Sequence, residues 1–193
     1  SFSGRLGEMT CIMGPSGCGK STLMKVMLGY EKATAGSVRL NGLDFHKNFN
    51  DLKDYVGYVP QDDLLYENLS VYENLYYSGK LKLPDISDDE LRSRIDDLLV
   101  VLGLSDKRDL PVGNELKRTL SGGERRRLNI GLELLNDSDV IYLDEPTSGL
   151  SSYDSRKVIE LLSGYAEKGK IIYVVIHQPA PEIFYKFDRL ILL

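Results

Sequence analysis

The chain has 193 residues, 42% of them hydrophobic and 27% charged, which suits one domain with a full apolar core. A net charge of −5, with no basic run longer than Arg125-Arg126-Arg127, argues against a nucleic-acid-binding surface. No uninterrupted apolar stretch approaches the roughly 20 residues of a membrane-crossing helix, so a membrane role would have to come through a partner.

Glu8 to Met13 is a mostly apolar run that reads as a buried strand. It leads into Gly14-Pro15-Ser16-Gly17-Cys18-Gly19-Lys20-Ser21, and a helix follows from Ser21 to Leu28, stopped by Gly29. Strand, glycine loop and helix form the setting in which this pattern binds phosphate: the glycines let backbone N–H groups turn inward at the positive end of a helix. Lys20 is expected to reach the β- and γ-phosphates, Ser21 to ligate Mg²⁺, and Thr22 to donate to the α-phosphate. Cys18 lies within the loop, where a small residue suffices, and with Cys11 it suggests no disulfide framework and fits a reducing compartment.

His46 lies in a polar stretch and reads as a surface residue. Tyr55 to Pro60 reads as a strand ending at Gln61, whose amide can reach Mg²⁺ or water. Val71 to Leu81 and Ser87 to Leu102 read as helices. Ser87 is the N-cap of the second, with Glu90 three residues later, and Leu91, Ile95, Leu98, Leu99 and Leu102 fall at helical spacing before Gly103. Lys82 to Asp85 and Arg108 to Gly113 read as surface connectors.

Leu120-Ser121-Gly122-Gly123-Glu124 is a second glycine loop opening a helix, with Leu128, Leu132 and Leu135 on one side. A helix start that offers N–H groups but no lysine suits closing over another subunit's phosphate. The three arginines after it point in different directions and read as a solvated or ion-paired face. Asp139 to Leu143 is another apolar run, ending in Asp144-Glu145-Pro146. At the end of a parallel strand Asp144 is placed to hold Mg²⁺, and Glu145 to polarise an attacking water as general base. Ile171 to Ile176 ends at His177, on the same sheet edge, within reach of the γ-phosphate or the water. The ends of the chain, Ser1-Phe2 and Leu190-Ile191-Leu192-Leu193, look cut or disordered.

These residues together resemble the nucleotide-binding domain of an ATP-binding cassette (ABC) transporter: a Walker A loop (Gly14 to Ser21), a Q-loop glutamine (Gln61), an LSGGE signature (Leu120 to Glu124), a Walker B strand with glutamate (Val140 to Glu145) and an H-loop histidine (His177). The resemblance is nearest to subfamily G and its bacterial relatives, through Leu120 to Leu128, Asp144 to Leu150, and Ile176-His177-Gln178-Pro179 with Ile183-Phe184 and Phe187-Asp188. Val71-Tyr72-Glu73-Asn74-Leu75 matches the family segment that faces the membrane partner. The resemblance implies an α/β fold: a P-loop NTPase (RecA-like) parallel-sheet core, about 1–65 and 138–193, with an α-helical subdomain inserted at about 66–137, the family's N-terminal antiparallel β part being largely missing.

It also implies ATP and Mg²⁺, the metal held by Ser21, Gln61 and Asp144, and catalysis by Glu145, His177 and Gln61. A second nucleotide-binding domain would offer its own Ser121, Gly122 and Gly123 to the ATP. A transmembrane domain, fused or separate, would place the chain at the cytoplasmic face of a membrane, as part of an exporter. Two rivals stand beside this: a nucleotide-gated binding module with little hydrolysis, and a soluble non-transport cassette ATPase. In one departure, Ser151 stands where the family has the D-loop aspartate, with Asp154 three residues on as a candidate to compensate. In the other, no aromatic residue is evident to stack on adenine, Phe2 being too close to the loop.

Overall fold

A computed structural model of the chain describes residues 2–113, 119–177 and 181–193. β1 (Met9–Met13) leads through the glycine loop into α1 (Lys20–Met27). A small antiparallel hairpin, β2 (Arg39–Leu40) with β3 (Leu43–Asp44), precedes the short α2 (Phe49–Leu52) and β4 (Val56–Val59). Three helices follow: α3 (Val71–Lys82), α4 (Asp88–Leu102) and α5 (Gly122–Leu134). The chain then alternates through β5 (Val140–Asp144), α6 (Ser152–Glu167), β6 (Ile171–Val175), α7 (Pro181–Phe184) and β7 (Arg189–Leu192). Five strands form one parallel sheet in the order β4-β5-β6-β1-β7, the α/β architecture expected.

The central strands are apolar throughout because both faces of the sheet are covered, which is why they read as continuous runs and not as alternations. Ile141 and Leu143 of β5, with Ile172 and Val174 of β6, join the larger core. Their neighbours Val140, Tyr142, Tyr173 and Val175 face the other way, where Met24, Met27 and Leu28 cover them. Tyr142 and Tyr173 stack there with ring centroids 5.1 Å apart.

The apolar C-terminal run is not disordered. It forms β7, which pairs with β1 through Cys11 opposite Leu190, and the Leu193 N–H donates to the Met13 carbonyl at 3.0 Å. Its burial alternates as in an edge strand although Leu190 to Leu193 are all apolar, so the sequence shows a four-residue apolar run without the alternation of a half-buried strand.

In α4, Ser87 Oγ accepts the Glu90 N–H at 3.2 Å, and the five predicted apolar positions are buried before Gly103 ends the helix at φ +64°. The Glu90 carboxylate pairs with Arg94 and not with the cap backbone. Fuller reciprocal capping boxes open α3, between Ser70 and Glu73, and α5, between Ser121 and Glu124. The three helices pack on one another, and their core is continuous with that on one face of the sheet. His46, expected at the surface, is half-buried with its ring edge-on to Phe45.

Candidate functional site

Because β4, β5, β6 and β1 are adjacent and parallel, their carboxyl ends bring Gln61, Asp144 with Glu145, His177 and the glycine loop to one edge of the sheet. Within the loop, Gly17 and Gly19 adopt φ +79° and +101°, conformations that a side chain would strain. Gly14 is needed for space: a Cβ there would lie 2.5 Å from Cys18 Sγ and 2.8 Å from the Leu193 carbonyl. Lys20 is only 6% exposed, and its ammonium donates to the Gly14 and Pro15 carbonyls at 2.8 Å each. Gly19 caps α1 without a side chain and the first turn carries no acid, so the N–H groups of Lys20, Ser21 and Thr22 precede the first intrahelical bond unpartnered by a cap. Together, an inward lysine and a helix start free of its own anion suit a phosphate chain.

Asp144 is half-buried at the end of β5. Burial, and then the neighbouring Glu145 charge, push its carboxyl above the ordinary aspartate range, while Lys20 and His177 pull it back in part. Glu145 takes a left-handed backbone, φ +48°, and its N–H donates to the Val175 carbonyl of β6 at 3.0 Å. Glu145 Oε1 lies 2.9 Å from His177 Nε2, so the two residues proposed to prepare water are in direct contact. The Gln178 and Pro179 that follow His177 lie outside the described residues.

The Gln61 side chain is exposed at the end of β4; its backbone is what is fixed. Arg126 of α5 donates to the Pro60 carbonyl at 3.1 Å and the Gln61 carbonyl at 2.7 Å, and Arg125 pairs with Asp63 at 3.3 Å. Arg127 donates to the Leu102 carbonyl at 2.9 Å. The arginine run is thus ion-paired and bonded to the backbone, with Arg126 and Arg127 each 7% exposed. Nor was the support around it visible in sequence: Asn129 accepts the Leu64 N–H, and Asn74 accepts the Tyr66 N–H and donates to its carbonyl. The only signal was polar residues at buried helical positions, and α5 is buried on nearly every side, so periodicity could not single them out.

Ser121 and Gly122 are exposed at the start of α5, whereas Gly123 is buried. Glu124 closes the capping box and receives Lys107 at 2.6 Å. Burial raises its carboxyl, but the Lys107 hydrogen bond and the capping bond outweigh this and hold it below the ordinary range. The signature start shares a cleft of about 390 Å³ with Gln61 and Gly149, whose lining includes none of residues 14–22.

A profile of the ABC transporter family matches residues 1–148. The ABC-type transporter claG of Penicillium crustosum is 45% identical over 190 residues, 98% of this chain and 25% of that protein. ABC transporter G family member 22 of Arabidopsis thaliana is 40% identical over 97% of this chain and 25% of its own length, and ABC transporter G family member STR2 of Petunia hybrida is 40% identical over 97% and 26%. The chain therefore spans about a quarter of the length of these curated relatives. With the family profile covering most of its residues and G-family relatives matching nearly all of it, the chain belongs to the ABC transporter family.

Proposed function

We propose that this chain is the ATP-hydrolysing domain of an exporter, acting as a dimer that closes around two ATP molecules. The observation that carries the reading is the 2.9 Å contact of Glu145 with His177 beside Asp144 and the Lys20 loop on one sheet edge. Glu145 takes the proton of the attacking water, His177 orients that carboxylate, and Lys20 balances negative charge on the phosphates. Ser21, Gln61 and Asp144 are the residues to hold Mg²⁺, which when bound neutralises phosphate charge. That the cleft at the signature start is lined by none of residues 14–22 supports completion of each site by a second copy or a homologous domain.

The division into a core, about 1–65 and 138–193, and a helical unit, about 66–137, belongs to the same reading. A groove of about 990 Å³ between them, lined by Tyr30, Phe49, Tyr58, Leu64 and Leu81, is the surface for a membrane domain, which would hold the chain at a cytoplasmic membrane face. Val71, Asn74 and Leu75 are buried, whereas Leu64, Tyr66, Tyr77 and Leu81 are large apolar residues exposed in that region. The rate of Mg-ATP hydrolysis against protein concentration tests the proposal. A rate per subunit that climbs with concentration and falls about a thousandfold in Glu145→Gln supports it; a rate indifferent to the substitution overturns it. Ser151 favours a second reading, a module that closes on ATP and scarcely hydrolyses it; near-zero turnover with ATP-dependent dimerisation would establish that instead.

A further inference from the structure

Ser151 caps α6: its Oγ accepts the Asp154 N–H at 3.1 Å and its hydroxyl donates to Asp154 Oδ2 at 2.8 Å. The other carboxylate oxygen, Oδ1, lies 3.7 Å from the buried Arg127 Nη1, which has no hydrogen-bond partner among the described residues. The same carboxylate fills the space beside Gly123, where a Cβ would lie 2.2 Å from Oδ1 and 2.3 Å from Cγ. One residue earlier, a Cβ on Gly122 would meet Leu150 at 3.6 Å. The turn between Glu145 and Ser151 is itself closed by Ser148 N–H to the Glu145 carbonyl at 3.1 Å and Leu150 N–H to the Thr147 carbonyl at 3.3 Å. A continuous packed path therefore runs from Glu145 through this turn to the start of α5.

We infer that Asp154 is a positioning residue that supplies the carboxylate of this turn in place of position 151, coupling the hydrolytic Glu145 to the signature glycines of the same chain. The inference rests on the dimeric-ATPase reading, in which those two features address different ATP molecules. Under it, Asp154 does not touch nucleotide. It sets where Gly122 and Gly123 stand when Glu145 and its turn move, because the glycine backbone abuts the carboxylate with no room to slide independently.

The test is Mg-ATP hydrolysis by the full-length protein carrying Asp154→Ala, Ser151→Ala or both, with Asp154→Asn as the conservative variant. Each alanine variant is expected to lower kcat about fivefold or more, with affinity for a non-hydrolysed ATP analogue changed by less than about twofold. The Hill coefficient for ATP should fall toward unity, and the double variant should be no slower than the slower single one, since the pair acts as a unit. Asp154→Asn keeps the volume and the Ser151 bond, and is expected to recover part of kcat. Unchanged kcat and Hill coefficient overturn the inference, as does a loss shared equally by thermal stability and analogue affinity, which marks a purely structural residue. Failure of the underlying reading looks different: the unsubstituted protein itself would show turnover insensitive to Glu145→Gln, and the inference would fall with it.

Discussion

Asp144 is held against its own electrostatics, since burial and the adjacent Glu145 both favour the neutral carboxyl. Its folded-state pKa is raised, so the folded chain retains a proton that the unfolded chain has released. Stability linked to this group is therefore fully present below the unfolded value of about 4 and is lost as pH rises through the folded one. Asp144→Asn is expected to raise the urea midpoint of the nucleotide-free protein at pH 7.5, with the gain shrinking to nothing as pH is lowered toward about 4. Added Mg-ATP should reverse the order, stabilising the unsubstituted chain more than the variant. An equal midpoint at both pH values would contradict this account. Glu145 adds a second local cost, its left-handed backbone at φ +48° being of the kind that costs of order 1–3 kcal/mol in a residue with a side chain. Both penalties fall on the two residues to which the proposed function gives the metal and the water, where binding energy would be available to offset them.

At the scale of elements, α5 is the organiser, because one helix carries the signature glycines at its start and anchors the backbone of Gln61 through Arg126. Removing that guanidinium leaves two carbonyls without their donor. Arg126→Ala is expected to lower unfolding free energy by about 2 kcal/mol in urea titration. Arg126→Lys should recover little of it, since a single ammonium does not reproduce a fork that spans the Pro60 and Gln61 carbonyls.

How much of this was legible follows from how local each feature is. The glycine loop, the capping serines, the strands ending in Gln61, Asp144 and His177, and the apolar face of α4 are all written within a few consecutive residues, and all formed as expected. The Arg126 anchor spans 66 positions to Pro60, and the Asp154 contact with Gly123 joins two helices; neither leaves a periodic trace. Ser151 reads as a lost aspartate until its hydroxyl is seen bonded to Asp154.

The whole molecule presents an open groove with Leu81 at 82% exposure on its rim, among aromatic residues that a solvent-facing surface does not need. If a membrane domain covers it, Leu81→Cys in the full-length protein should react with a maleimide about tenfold more slowly than Leu6→Cys, which is 76% exposed and far from the groove in sequence. Cys18→Ser is the background for both. Equal labelling rates would place the partner elsewhere. Leu81→Glu should leave the unfolding free energy within about 0.5 kcal/mol, as expected of a side chain with few neighbours.

The strand beneath the glycine loop is completed from both sides by segments far from it in sequence: Met9 to Ile12 register with Ile172 to Val175, and Thr10 to Met13 with Arg189 to Leu192. On the ribosome, β1 is made before either of its neighbours and must wait until synthesis has reached Ile171 before the first of them exists. Contacts of such long separation are slow to form and leave the early strand without partners meanwhile. Order of manufacture and order of completion thus run in opposite directions. A nascent chain interrupted anywhere before Ile171 already holds every residue of the phosphate-binding sequence, above a strand that has nothing to pair with.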